Sequence, residues 1–232
     1  MSARIGVLAS GGGTNLQAIL EYFDGLGEPR AGEVVLVASD RHAAGALDRA
    51  RARGIPAVEL RTPKRPDGVA VLDALREHRI DCVALAGYLS LVPADAVRAY
   101  AGRMLNVHPA LLPAFGGRGM HGLRVHEAVL AAGAAVTGAT VHLVDEVFDH
   151  GPVVAQWPVP VRAGDTAESL QARVLRVEHA LYPRVIRALA AGRIHPGTPI
   201  LGRADAPAQP QFILADRDDR NLARDIEHAL DL

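Results

Sequence analysis

The stretch IGVLASGGGTNLQ, which covers residues 5–17, decides the fold of this chain. Its first part, Ile5 to Ala9, is a short apolar run that predicts a buried β-strand. Three successive glycines, residues 11–13, indicate a tight turn, and the residues from Asn15 to Phe23 have helical spacing. A buried strand that leads through a turn into a helix is the building unit of a parallel sheet.

The same alternation of apolar runs and helical patterns continues through the first half of the chain. Strands that are apolar throughout and separated by helices predict a parallel sheet covered on both faces. We therefore predict an α/β fold with a mostly parallel, Rossmann-like central sheet, which binds its ligands at the carboxyl ends of its strands. The predicted strands are 5–9, 33–39, 57–60, 81–86 and 104–108, and the predicted helices are 15–23, 43–53, 69–78 and 94–99.

The second half of the chain has a different pattern. It begins with a stretch rich in Pro and Gly that we predict to be a loop, followed by a helix, two strands and a long amphipathic helix. A shorter helix is predicted near the C-terminus. These segments are, in order, 109–123, 124–132, 137–144, 152–161, 166–191 and 216–230.

Composition limits the possible function classes. Among 232 residues, 25 Lys and Arg nearly balance 26 Asp and Glu, and no basic stripe stands out, so we expect no nucleic-acid or membrane partner. Cys82 is the only cysteine, which excludes an internal disulfide and a cysteine metal cluster. The sequence has no secretory leader pattern and no apolar run long enough to span a bilayer, so we expect a cytoplasmic protein.

The glycine turn has two interpretations. Glycines let a backbone approach an anion closely, and the start of a helix offers N–H groups, so the turn would form a phosphate cradle. The alternative is an ordinary strand-to-helix turn in which Thr14 or Asn15 caps the helix. A dinucleotide-binding fingerprint fits poorly, because Leu16 stands where its third glycine belongs.

Asn106 and His108 close the fifth predicted strand. Residues two apart in a strand point to the same side, so we expect their side chains to be neighbours at its carboxyl end. An amide donor beside an imidazole can stabilise an oxyanion and transfer a proton. The alternative is structural: an asparagine that caps a turn and a histidine that fixes the following proline loop.

An acidic loop, residues 145–152, contains Asp149. Its carboxylate would raise the pKa of His108 and keep the imidazole protonated at neutral pH, whereas the alternative is an ordinary Asp/Gly/Pro turn. A metal site formed by His108 and His142 is a weaker alternative, because no third ligand has metal-like spacing.

Other histidines and charges are interpreted as structural. His121 and His126 flank the Pro/Gly loop and are assigned structural or loop roles. Glu178 and His179 lie on the long predicted helix, where a charged pair usually belongs to a solvated face.

Taken together, these motifs resemble the phosphoribosylglycinamide formyltransferase family of folate-dependent enzymes. The pattern Asn-x-His-Pro-x-Leu-Leu-Pro with a later Asp-x-Gly-Pro is specific to formyltetrahydrofolate-using transferases. The opening Ser-Gly-x-Gly-Thr-Asn-Leu-Gln narrows the resemblance to the glycinamide ribonucleotide branch. The matching segments are residues 5–17, 85–88, 106–113, 138–144, 149–152 and 178–183.

The resemblance implies two substrates and a set of site residues. Enzymes of this family transfer the formyl group of 10-formyltetrahydrofolate to glycinamide ribonucleotide, without a metal. Asn106, His108 and Asp149 match the family's catalytic trio, in which the amide and a protonated imidazole would stabilise the oxyanion. By the same resemblance, Gly13, Thr14, Asn15 and Glu178 would bind the ribonucleotide, and Leu89, Ser90, Leu91, Val92, Asn106, Asp145, Glu146 and Asp149 would bind the folate.

The resemblance also implies a domain organisation. Residues 1–193 would form the catalytic domain, with a phosphate-binding N-terminal half and a folate-binding C-terminal half, and residues 194–232 a C-terminal extension of unknown role. The loop 114–122 looks longer than in many relatives, and either Lys64 or Arg65 would contact the folate. We expect a monomer or a homodimer.

Three rival functions remain at the level of sequence. A formyltetrahydrofolate deformylase uses the same trio with water as the acceptor, but that branch usually carries an extra N-terminal domain. A methionyl-tRNA formyltransferase would need a C-terminal barrel and a basic surface. A non-catalytic nucleotide- or folate-binding protein would not need the complete Asn/His/Asp set.

Overall fold

A computed structural model describes residues 2–27, 30–60, 70–194 and 222–230 of the chain. Seven strands and seven helices lie within these residues. The strands are β1 Ala3–Leu8, β2 Gly32–Ser39, β3 Ala57–Glu59, β4 Cys82–Leu85, β5 Met104–His108, β6 Val136–Leu143 and β7 Val153–Pro160. The helices are α1 Thr14–Asp24, α2 Gly45–Ala52, α3 Val71–Glu77, α4 Ala94–Ala99, α5 Leu123–Ala131, α6 Ala167–Ala190 and α7 Leu222–Leu230.

The strands form one sheet in the order β3-β2-β1-β4-β5-β6-β7. Strand β1 pairs in parallel with β2 and β4, β2 with β3, and β4 with β5, whereas β6 and β7 pair antiparallel. The predicted α/β class with a mostly parallel sheet is therefore confirmed. The predicted bounds of α4 and β5 match the structure, and the other described elements differ by a few residues at their ends.

The chain packs as two compact units, and the boundary between them falls inside β5, after Asn106. Among the described residues, the first unit holds those up to 106 and those from 186 to 194, and the second holds 107–185 and 222–230. In the first unit, β1, β2 and β4 are almost wholly buried, as expected for strands covered on both faces.

The second unit is built around the antiparallel pair β6 and β7 and the C-terminal helices. Residue 138 must be glycine, because a Cβ there would lie 2.2 Å from the carbonyl oxygen of Trp157 on β7. Helix α7 joins this unit through a salt bridge of 2.5 Å between Arg184 and Asp225 and through burial of Ile226. The part of the predicted C-terminal helix before residue 222 lies outside the described residues, as does most of the extension.

None of the described helices is both long and apolar enough to cross a bilayer.

Candidate active site

His108 is the centre of a buried polar cluster in the second unit. Strand β5 ends at this residue, and Asn106, two positions earlier, has its side chain on the same side of the strand. The imidazole is only 3% exposed. Its Nδ1 lies 3.4 Å from Oδ2 of Asp149, and its Nε2 lies 2.8 Å from the carbonyl oxygen of Phe115. The structure therefore brings His108 and Asp149 together, as the sequence predicts.

The loop that follows β5 is anchored on the sheet of this unit. Thr140 on β6 donates to the carbonyl of Ala110 and accepts from the N–H of Leu112, at 2.6 and 3.1 Å. Gln156 on β7 donates to the carbonyl of Leu112 and to the Thr140 hydroxyl. These bonds fix the stretch that carries Phe115, whose carbonyl in turn orients the imidazole of His108.

Asp149 is held in an uncommon backbone conformation. Its φ is +53°, in the left-handed region that residues other than glycine rarely occupy. Its Oδ2 accepts a 2.9 Å hydrogen bond from the N–H of Gly117, and its Oδ1 lies 3.7 Å from Nε2 of His142. A non-glycine residue kept at positive φ beside two imidazoles is typical of a functional site.

A side chain at position 116 would crowd its neighbours in this arrangement. A Cβ at Gly116 would lie 2.5 Å from Cδ2 of Leu112 and 3.3 Å from Cβ of Asp149. Glycine at this position lets the loop lie directly against the acidic residue. Among the glycines of the loop 114–122, residue 116 thus has a steric reason that the sequence alone does not reveal.

The charge state of His108 differs from the sequence expectation. Burial lowers the pKa of His108 below its usual value, although Asp149 and the Phe115 carbonyl act in the opposite direction. The direction of this shift is opposite to the expectation that Asp149 keeps the imidazole protonated at neutral pH, because the loss of water around the ring outweighs one carboxylate.

One proton of this ring is assigned by its partner. A carbonyl oxygen can only accept, so the 2.8 Å bond to Phe115 places a hydrogen on Nε2 of His108. Nδ1 is the nitrogen that faces Asp149. An imidazole in this tautomer can accept a proton at Nδ1 and become a cation next to a carboxylate.

Asp149 is ionised in this environment. Burial alone would raise the pKa of Asp149, but His142, His108 and the hydrogen bond from the N–H of Gly117 together hold it below its usual value. A carboxylate that stays charged beside an imidazole is suited to stabilising that imidazole when it carries a proton.

The remaining histidines of this region have separate environments. His142 donates from Nδ1 to the Leu143 carbonyl at 2.8 Å, and its Nε2 lies 3.7 Å from Oδ1 of Asp149. His126 is 1% exposed on α5, and burial lowers its pKa to about 4, with a smaller contribution from His108. His121 is exposed. Among the described residues, no group of three or more His, Cys, Asp or Glu side chains could hold a metal ion.

The glycine turn forms a second candidate site, in the first unit. Gly13 precedes α1 with φ +75°, and no side chain caps this helix, so the alternative in which Thr14 or Asn15 caps it is wrong. A Cβ at residue 13 would lie 2.8 Å from Cα of Ala46, the second residue of α2. A Cβ at Gly11 or Gly12 would meet nothing within 4 Å. The turn is therefore packed against α2 on one side and open beside its first two glycines.

Arg49 also contacts this turn, although sequence reasoning did not single it out. It lies one helical turn beyond the start of α2, and its Nε donates to the carbonyl of Gly12 at 2.7 Å. Its Nη1 donates to Oε1 of Gln17 at 3.2 Å. The only sequence signal is the recurrence of arginine at residues 49, 51 and 53, which does not distinguish Arg49 from its neighbours.

A hydrogen-bond network joins the start of the turn to the predicted folate segment within the first unit. Ser10 donates to Oδ1 of Asp40 at 2.5 Å, and Ser90 donates to Oδ2 of the same carboxylate at 2.5 Å. The N–H of Leu89 donates to the Ser10 hydroxyl at 2.9 Å. Asp40 follows β2 at the carboxyl edge of the sheet and is not among the residues predicted from the sequence.

The other predicted site residues have mixed environments. Leu91 is 48% exposed, whereas Val92 beside it is buried. Asp145 accepts from the N–H of Val147, and Glu146 is exposed. Glu178 on α6 is 6% exposed, so its assignment to a solvated face is wrong. The predicted folate contact at residue 64 or 65 lies outside the described residues.

Comparisons with known proteins agree with this geometry. A sequence pattern of the formyl transferase family matches residues 3–186. The chloroplastic phosphoribosylglycinamide formyltransferase of Arabidopsis thaliana is 42% identical over 88% of this chain and 72% of its own length. The phosphoribosylglycinamide formyltransferase of Bacillus subtilis (strain 168) is 36% identical over 80% of this chain and 94% of its own. The crystal structure of glycinamide ribonucleotide transformylase 1 from Symbiobacterium toebii superimposes with a TM-score of 0.75 at 41% identity, covering 87% of this chain and 95% of that one.

Proposed function

This chain belongs to the formyl transferase family, and we propose that it transfers the formyl group of 10-formyltetrahydrofolate to the amine of phosphoribosylglycinamide. The product is N-formylglycinamide ribonucleotide, an intermediate of purine biosynthesis. The observation that carries the proposal is the buried pairing of His108 with Asp149, 3.4 Å apart, on the strand that also bears Asn106.

The reaction needs a proton acceptor and an oxyanion donor. The substrate amine attacks the formyl carbon, and the Asn106 amide donates to the oxygen that becomes negative. His108, whose pKa is lowered by burial, accepts the proton that the attacking nitrogen loses. Asp149 stabilises the resulting imidazolium. The bond between the formyl carbon and N10 of the folate then breaks, and the same proton moves to that nitrogen.

The substrate contacts are assigned by family resemblance and supported by local structure. We assign the phosphate to Gly13, Thr14 and Asn15, because the glycine turn is open where an anion would approach the backbone. Glu178, which is buried, is assigned to the glycinamide end. The folate is assigned to residues 89–92, 145, 146 and 149 together with Asn106, and the exposed Leu91 offers apolar surface to a flat ring.

Location, assembly and metal content stay predictions. We propose that the reaction occurs in the cytoplasm, without a metal, in a monomer or homodimer, and with no nucleic-acid or membrane partner. The near balance of 25 basic and 26 acidic residues supports the absence of a polyanionic partner. The boundary of the catalytic domain at residue 193 is likewise a prediction.

A formyl-transfer assay tests the proposed function. Purified protein is mixed with 10-formyltetrahydrofolate, with and without phosphoribosylglycinamide, and release of deformylated folate is followed by absorbance. We expect release only when the amine substrate is present. Equal release in its absence would identify water as the acceptor and a deformylase as the correct function. Binding of both ligands without any release would support a non-catalytic binding protein.

A further inference from the structure

Arg49 is the only side chain with a full positive charge that is shown hydrogen-bonded to the glycine turn among the described residues. Its Nε and Nη1 bond to the Gly12 carbonyl and to the Gln17 side chain, at 2.7 and 3.2 Å. These two bonds hold the guanidinium against the turn in a fixed orientation. A guanidinium has five N–H donors, so donors on its outer edge remain available after both bonds are made.

The charge of Arg49 is not neutralised by a direct ion pair, in contrast to its neighbours on the same helix. Arg51 pairs with Asp48 and Glu59, at 2.9 and 3.1 Å. Arg53, just beyond α2, pairs with Asp24. No described carboxylate forms a salt bridge with Arg49. Gln17, whose Oε1 accepts from Arg49, donates from its Nε2 to the carboxylate of Glu21. A half-buried arginine that contacts neutral acceptors retains its attraction for an anion.

We infer that Arg49 binds the phosphate of the substrate and makes the site selective for the phosphorylated ribonucleotide over its dephosphorylated nucleoside. This inference rests on the proposed function and adds a residue and a selectivity to it. The backbone of the turn supplies neutral donors, and Arg49 supplies the charge that a phosphate dianion requires. Because Arg49 also donates to the Gly12 carbonyl, one side chain both binds the phosphate and fixes the conformation of the turn.

The test compares two substrates in three variants. Arg49→Gln removes the charge, Arg49→Lys keeps it on a side chain that cannot form both existing bonds, and Arg51→Gln removes a paired charge from the same helix. We expect Arg49→Gln to raise KM for phosphoribosylglycinamide about 30-fold, with kcat nearly unchanged. Activity with the glycinamide ribonucleoside should change less than about twofold, because that substrate has no phosphate for Arg49 to bind.

The matched variants distinguish binding of the phosphate by Arg49 from an effect of Arg49 on the conformation of the turn alone. Arg49→Lys should recover part of the lost affinity, and Arg51→Gln should behave as the unmodified protein. Equal losses with both substrates after Arg49→Gln would overturn the inference, since Arg49 would then only shape the turn. The same would follow if Arg49→Lys were no better than Arg49→Gln.

A binding measurement separates this inference from the proposed function. Calorimetric titration with ribose 5-phosphate requires no turnover and no folate. We expect the unmodified protein to bind it and Arg49→Gln to bind about 30-fold more weakly. This result would hold even if the formyl-transfer assay were negative. Equal binding by both proteins would refute the role of Arg49 while leaving the formyl-transfer reaction untouched.

Discussion

Asp149 is the residue where geometry and charge make the sharpest prediction. Its carboxylate stabilises the imidazolium of His108, so Asp149→Asn keeps the shape of the side chain but removes the charge that this intermediate needs. We expect kcat for formyl transfer to fall about 100-fold or more at neutral pH. Steady-state kinetics with both substrates measures this loss.

A matched variant controls for loss of charge alone. Glu127 is exposed on α5 in the same unit, so Glu127→Gln removes one negative charge without touching the cluster. We expect it to retain normal turnover. Near-normal turnover by Asp149→Asn would contradict the role assigned to Asp149, and a similar loss in Glu127→Gln would point to net charge instead.

Some residues of this site can be predicted from the sequence, and others cannot. Asn106 and His108 follow from a spacing of two at the end of a strand, which is a local property. The 3.4 Å approach of Asp149 depends on a left-handed backbone and on a side-chain-free position at Gly116, neither of which has a local sequence signature. The lowered pKa of His108 depends on burial in the folded unit, so a motif cannot give its sign.

At the scale of elements, the periodicity of the sequence predicts the type of each element better than the residues at which it ends. Each described strand and helix was predicted as an element of the right type, because apolar runs and helical spacing are properties of consecutive residues. Helix ends depend on contacts from elsewhere in the chain. Gly13 precedes α1 without a side-chain cap, and a Cβ there would lie 2.8 Å from Cα of Ala46 in α2. The sequence pattern around residue 13 contains no information about α2.

Helix α7 gives the prediction that belongs to this scale. Ile226 is fully buried, and Asp225 beside it pairs with Arg184 of α6. Ile226→Ala should weaken the docking of α7 by about 3 kcal/mol, because it removes buried apolar volume and leaves a cavity. Hydrogen exchange should then show faster exchange for the amides of α7 than in the unmodified protein, with β6 and β7 unchanged.

The neighbouring position provides the control for this experiment. Glu227 is exposed on the same helix, so Glu227→Gln should leave exchange in α7 unchanged. If Ile226→Ala left the α7 amides equally protected, the helix would not depend on this contact. Uniform acceleration throughout the second unit would instead show that α7 is part of its cooperative core.

At the scale of the whole molecule, the periodicity of the sequence does not predict the order of the strands in the sheet. The sequence indicated parallel strands and a ligand edge, but the order β3-β2-β1-β4-β5-β6-β7 requires knowledge of which apolar surfaces meet. The division after Asn106 places the glycine turn with Arg49 in one unit and the His108 cluster in the other. Charge distribution within each unit then determines how the protein responds to pH.

Buried histidines predict a loss of global stability in mild acid. The pKa of His126 is about 4 in the folded protein and about 6.5 in an unfolded chain, and burial lowers the pKa of His108 in the same direction. Between these values the unfolded chain binds protons that the folded protein does not, so the free energy of unfolding decreases as pH falls from about 6.5 to about 4. Asp149 has a lowered pKa, as does Asp165, whose carboxylate accepts hydrogen bonds from Arg173 of α6 at 2.7 Å. The stabilisation from these two carboxylates is lost only as pH falls below about 4, so the milder window belongs to the histidines.

Denaturant unfolding of His126→Gln should therefore show a smaller decrease of the free energy of unfolding across this window, by about 2 kcal/mol. His121→Gln, changed at an exposed position, should match the unmodified protein. Identical pH dependence in the two variants would mean that His126 is protonated without unfolding and that its burial does not control the acid stability of the fold.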